Sequence, residues 1–159
     1  MKSRLIQAVL RENLSEVQAT LRSGAAVDER DADGRSGLFH AAIDGLDLIV
    51  QALLAASADV HATDKLGMTP LHYAVQERHG RTAQLLIAAG ANPSAADANG
   101  NTPAHRAVFA FDGTEASASI LKLLLKSGAD LRARNSAGVS SEDLARTRGL
   151  DLESVRSAH

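Results

Sequence analysis

The chain has 159 residues, 45% hydrophobic but only 3% aromatic, with no cysteine and a formal net charge of −2. Lacking cysteine, it can form neither a disulfide framework nor a cysteine-based metal site, and its slightly acidic balance argues against a strongly basic nucleic-acid surface. The length suits one compact domain or one short solenoid, with a core drawn from Leu, Ala, Val and Ile.

At the N-terminus, the apolar run Leu5 to Leu10 is interrupted by Gln7 and leads straight into Arg11-Glu12-Asn13. That run is too short for a secretory signal. Its spacing predicts a helix over about 3–11, a break near Glu12-Asn13 and a helix over about 14–22. Lys2, Arg4, Arg11, Glu12, Glu16 and Arg22 give this pair a polar exterior. A targeting helix is the alternative reading of the segment. No stretch of the chain approaches the length of a membrane span, so a soluble cytoplasmic protein without a membrane partner is expected.

The chain then falls into a beat of 33 residues. Asp31-Ala32-Asp33-Gly34-Arg35-Ser36-Gly37-Leu38-Phe39-His40-Ala41 returns as Asp64-Lys65-Leu66-Gly67-Met68-Thr69-Pro70-Leu71-His72-Tyr73-Ala74. It returns again as Asp97-Ala98-Asn99-Gly100-Asn101-Thr102-Pro103-Ala104-His105-Arg106-Ala107. Each part has a physical task. The Asp can bond its own backbone two residues on, and the Gly tolerates positive φ, so together they suit a tight turn. Thr69 is a helix N-cap, and Pro70 follows at the first helical position, where a missing N–H costs nothing. Leu71, Ala74 and Val75 share one helix face. A second apolar run follows in each unit and stops at Ser57-Ala58, Gly90-Ala91 or Gly128-Ala129; Gly just past a helix is a common stop. The unit reads as turn, helix, turn, helix and loop.

The predicted units are 31–63, 64–96 and 97–134, between a helical pair over 1–30 and a terminal segment over 135–159. In the first unit Gly37 replaces the expected Pro and Phe39-His40 replaces His-Tyr, so its first helix starts less firmly. In the second, Glu77-Arg78-His79-Gly80 reads as a polar linker ending in Gly. The third carries five extra residues, placed between its two helices over Phe109 to Ser117. Residues 135–159 begin another unit, with a capping box from Ser140 to Asp143, and end as a truncated polar cap whose last residues are expected to fray.

The constant period and the Thr-Pro-Leu-His-x-Ala core of Thr69 to Ala74 closely resemble the ankyrin repeat. The resemblance implies an all-α solenoid of three full repeats with N- and C-terminal capping units. No single unit could bury so thin an apolar face alone, and stacking supplies the core. By the same resemblance, His72 and His105 are structural hydrogen-bonders that tie adjacent turns. No pair among the six histidines has a helical metal-ligand spacing with acidic partners. There is no phosphate-cradling Gly-rich loop, no Gly-x-Ser-x-Gly elbow and no paired-carboxylate constellation. No cofactor, metal or catalytic residue is therefore expected.

In a stack of this kind the turn tips and the free side of each first helix form one concave surface, whose positions are varied in designed ankyrin binders. Here those positions are Asp33, Arg35, Ile43 and Asp44 in the first unit, then Lys65, Leu66, Met68, Gln76 and Glu77 in the second. In the third they are Asn99, Asn101, Phe109 and Ala110. Leu66, Met68 and Phe109 stand out as large apolar groups expected at the surface. Tyr73 and Phe111 are expected to join them in a partner-binding strip. The function this implies is non-catalytic recognition of another protein, as adaptor, regulatory subunit or inhibitor. The Ala-, Arg- and Leu-rich usage fits a bacterial chain, and small bacterial ankyrin proteins include immunity-type inhibitors. The polar ends favour a monomer. Two rival classes remain: a small-molecule or metal-dependent enzyme, which needs a deep pocket, and a nucleic-acid binder. The second draws on the cluster Arg132, Arg134, Arg146 and Arg148.

Overall fold

A computed structural model describes residues 3–157. Its described residues form five consecutive helix pairs and no strand. The pairs are α1 (Arg4–Leu10) with α2 (Leu14–Arg22), α3 (Gly37–Ile43) with α4 (Asp47–Ala55), and α5 (Pro70–Gln76) with α6 (Gly80–Ala88). Then come α7 (Pro103–Phe109) with α8 (Glu115–Lys126), and α9 (Ser141–Thr147) with α10 (Leu152–Ser157). First helices pack on first helices, α1 through α9 by odd numbers, and α2, α4, α6, α8 and α10 pack on one another in the same order. The result is a two-layer all-α repeat solenoid. Its main core is a continuous apolar cluster from Leu5 and Val9 to Ala145 and Val155, built from residues of every pair, with a smaller separate cluster around Phe39.

The helix starts follow their caps. Ser3 and Asn13 each accept a backbone N–H from the helix they open, Ile6 and Glu16 respectively. In the second and third units the cap closes through histidine. The Thr69 N–H donates to His72 Nδ1 at 3.1 Å, and the Thr102 N–H donates to His105 Nδ1 at 3.1 Å. Ser140 and Asp143 close a reciprocal box of 3.1 and 3.2 Å, as the spacing predicts. The first unit lacks this device because Phe39 stands where the others have His. Ser36 Oγ is accordingly buried without a partner, the structural form of the less firm start expected there.

Three details differ from the expectation. Gly80 does not end the linker; it opens α6, and the left-handed residue is Arg78, with φ 64°. The extra residues of the third unit do not all lie in its loop. Three lengthen α8, which has 12 residues where α4 and α6 have nine, because Thr114 caps the extension by accepting the Ser117 N–H at 3.3 Å. The terminal segment carries a second helix, Leu152–Ser157, though with six described residues it is shorter than the second helices of the other pairs. Residues 158 and 159, among the last residues where fraying is expected, and Lys2 in the polar exterior lie outside the described residues.

The turns form a ladder. The Lys65 N–H donates to Asp33 O at 3.0 Å, the Ala98 N–H to Leu66 O at 3.0 Å and the Ser136 N–H to Asn99 O at 2.8 Å. Histidine adds a second tie: His72 Nε2 donates to Asn101 O and His105 Nε2 to Val139 O, each at 3.0 Å. A third comes from His79, whose Nε2 donates to Ile43 O at 2.9 Å.

Candidate functional site

Each turn is built on one side chain, buried at Asp64 and Asp97 and half-buried at Asp31 and Asn135. Asp64 accepts the N–H groups of Leu66 (2.9 Å) and Met68 (3.1 Å) on one oxygen, and the Tyr73 hydroxyl (2.7 Å) and Arg35 Nε (3.1 Å) on the other. A buried carboxylate is stable only when so fully paired. The donor nine residues on recurs: His40 meets Asp31 at 2.8 Å and Arg106 meets Asp97 at 2.5 Å. In the last unit that place is taken by Leu144, which has no donor, and the turn residue is the neutral Asn135.

These contacts set the titration behaviour. Burial alone would raise the Asp64 carboxyl, but the bonds from Tyr73, Arg35 and the two N–H groups outweigh it and hold it below its ordinary 3.8. Asp31 and Asp97 are lowered by the same balance. Burial, with the Asp64 bond, pushes the Tyr73 hydroxyl up to about 12. Burial also depresses His72 below its ordinary 6.5, so its ring is neutral at pH 7. Below pH 6.5 the unfolded His72 takes up a proton that the folded one resists. Below about pH 4 the unfolded aspartates take up protons that the folded ones resist. Both favour unfolding as pH falls. The urea midpoint is therefore expected to be flat between about pH 7 and 10, to decline below about pH 6.5 and steeply below about pH 4, and to decline again above about pH 10, where the unfolded Tyr73 loses a proton that the folded one keeps. A midpoint that rose anywhere between pH 6.5 and 4 would contradict this balance.

The sequence-predicted strip divides on this frame. Asp33, Asp44, Lys65, Leu66, Glu77, Asn99 and Phe109 are exposed, Leu66 at 57% and Phe109 at 67%. Arg35, Ile43, Gln76, Asn101 and Phe111 are half-buried. Met68 and Tyr73 are not on the surface, at 3% and 7% exposure. The reason is Phe39. Its ring fills the place of the motif histidine and needs apolar cover, which Met68, Ala62 and the edge of Tyr73 supply. The two rings meet at 70° with centroids 6.3 Å apart. Arg35 is also committed: it bonds Asp64 and the Tyr73 hydroxyl (2.6 Å), with its guanidinium carbon 4.9 Å from the ring centroid. Phe111 packs back on the core, while Phe109 stays out.

Sequence reasoning missed Leu10, which is exposed at the end of α1. It stands 33 residues before Ile43, so the beat itself could have placed it on this face. It also missed Leu48, exposed at the start of α4. The four C-terminal arginines are largely engaged. Arg132 pairs with Glu142 at 3.5 Å, while Arg134 and Arg146 share Asp143 at 3.3 and 3.6 Å. Arg148 lies over the Phe109 ring at 5.9 Å.

The family model for ankyrin repeats (3 copies) matches residues 5–97 and again 47–135. The chain belongs to the ankyrin-repeat family. A comparison with curated proteins gives no match. Ankyrin repeats are generally protein–protein interaction modules, and ankyrin-repeat proteins are typically non-catalytic. That generality agrees with a turn-side face that is hydrogen-bonded into one ladder and carries its exposed apolar groups singly. Among the described residues of this ankyrin-repeat chain, no three His, Asp or Glu side chains come together as a metal site.

Proposed function

We propose that this protein recognises a partner protein through its turn-side face and acts as an inhibitor or regulatory subunit in the cytoplasm. The observation that carries this reading is the placement of Leu66 and Phe109. Both are more than half exposed, on backbone fixed by inter-unit hydrogen bonds or by helix α7. Presenting large apolar groups on a rigid frame lowers the ordering cost of binding. Lys65, Glu77 and Asn99 supply a polar surround.

The test is affinity capture with variants. Leu66→Asp and Phe109→Asp are each expected to lower partner capture about tenfold or more while leaving the urea midpoint nearly unchanged, as loss of a hot spot would. Met68→Ala gives the opposite pattern. It removes a core side chain and is expected to cost about 2–4 kcal/mol of stability. Capture that is indifferent to both Leu66 and Phe109 would place the binding surface elsewhere.

A further inference from the structure

Between α7 and α9 the turn-side face opens into a cleft of about 350 Å³, lined by Asn101, Arg106, Phe109, Asn135, Val139 and Leu144. It exists because the last unit departs from the beat. Leu144 occupies the place where His40, Tyr73 and Arg106 serve their turn aspartates, so the cleft has an apolar wall where a polar head group would otherwise stand. The Asn135 Nδ2 donates to Asn101 Oδ1 at 2.9 Å and closes another side.

Its rim is cationic. The Arg148 guanidinium lies over Phe109 and donates to Phe111 O at 3.3 Å, and it makes no ion pair among the described residues. Arg106 gives Nη2 to Asp97 but keeps Nε buried without an acceptor. Elsewhere in the last unit, Arg132 pairs with Glu142, and Arg134 and Arg146 with Asp143, so Arg148 is the cation left for a ligand here. The remainder of the face leans to the other sign: Asp33, Asp44 and Glu77 are exposed and unpaired by any cation among the described residues, against the exposed Lys65.

We propose that this cleft anchors an acidic segment of the partner protein. A large apolar side chain sits against Phe109, Val139 and Leu144, and a neighbouring carboxylate meets Arg148. This rests on the reading that the turn-side face binds protein, and it names the chemistry bound. Aromatic and Arg groups side by side are frequent anchors of protein interfaces, and a guanidinium over a ring face is preorganised for a carboxylate. A nucleic acid fits less well. Its backbone would run from the arginines onto the exposed carboxylates, whereas a short acidic anchor ends at the cleft.

The full chain, labelled with ¹⁵N, is titrated at low salt with two blocked peptides of identical leucine and phenylalanine positions. One has glutamate in the intervening positions, the other lysine, and a short oligothymidylate is the third ligand. The glutamate peptide is expected to shift amides of Asn101 to Phe109 and Asn135 to Leu144, and to bind more tightly than the other two. Arg148→Glu should weaken it by about tenfold and hand the advantage to the lysine peptide. Phe109→Ser should weaken both peptides. Equal affinity for the two peptides, no binding of the glutamate peptide, shifts confined to other surfaces, or tighter oligothymidylate binding would each overturn the proposal. Capture of a natural partner that falls with Leu66→Asp but ignores Arg148→Glu and Phe109→Ser rejects the cleft while leaving the wider reading intact.

Discussion

His72→Ala is expected to lower the free energy of unfolding by about 3–5 kcal/mol, the sum of one orphaned buried N–H, a lost inter-unit hydrogen bond and a cavity. The imidazole is fully buried and works on both sides of a repeat boundary. Because the Thr69 N–H donates to Nδ1, the proton sits on Nε2, which donates to Asn101 O in the next unit. Alanine leaves the Thr69 N–H without a partner, leaves the Asn101 carbonyl with the Asp97 N–H as its donor but no tie to the preceding unit, and leaves the ring volume empty in the middle of the stack. A domain of this size has about 5–15 kcal/mol in all, so the loss is a large share of the total. Urea denaturation gives the value from the midpoint at unchanged slope. A reduced slope would mean that the units on either side of the lost tie had begun to unfold separately, as a one-dimensional array permits. A change under about 1 kcal/mol would show that the histidine tie is not a stabilising contact.

The repeat plan was legible because it depends on residues near one another in the chain. The N-caps, the turn Asp and Gly and the histidine ties recur at fixed spacing, and their geometry follows from local backbone needs. Burial at Met68 and Tyr73 was not legible by position. In a generic unit the residue after the turn Gly projects outward. Here it turns in because Phe39, one unit earlier, replaced a polar ring by an apolar one. The signal was present in the sequence as Phe39 out of step with His72 and His105, but its consequence fell 29 and 34 residues away, across a repeat boundary. The turn aspartates show the same coupling in readable form. Asp31, Asp64 and Asp97 each have a donor nine residues on, and the carboxylate becomes Asn135 where that donor becomes Leu144. The insertion was visible as five surplus residues, but their division between loop and α8 was decided by the Thr114 cap.

Gly67→Ala is expected to be among the most damaging single-methyl changes in the chain, at about 3 kcal/mol or more, well beyond backbone strain alone. Gly67 has φ +73°, and a Cβ there would lie 2.6 Å from the Ala98 nitrogen and 3.1 Å from the Asp97 carbonyl carbon. Both are main-chain atoms of the next turn, with no side-chain freedom to yield. The Ala98 N–H is also the group that donates to Leu66 O, so relief of the clash must stretch or break a rung of the ladder. Gly138 provides the internal control. It has nearly the same φ, +74°, but its Cβ would meet nothing within 4 Å. Gly138→Ala therefore reports left-handed strain alone, about 1–2 kcal/mol. The difference between the two variants isolates the inter-turn contact, and hydrogen exchange at Ala98 reads the rung directly. If the ladder is what holds Leu66 outward, Gly67→Ala should also reduce partner capture, although it changes no side chain on the binding strip. Equal stability losses at 67 and 138 would show that the turns are not held in close register, and the rigid frame argued for Leu66 would go with them.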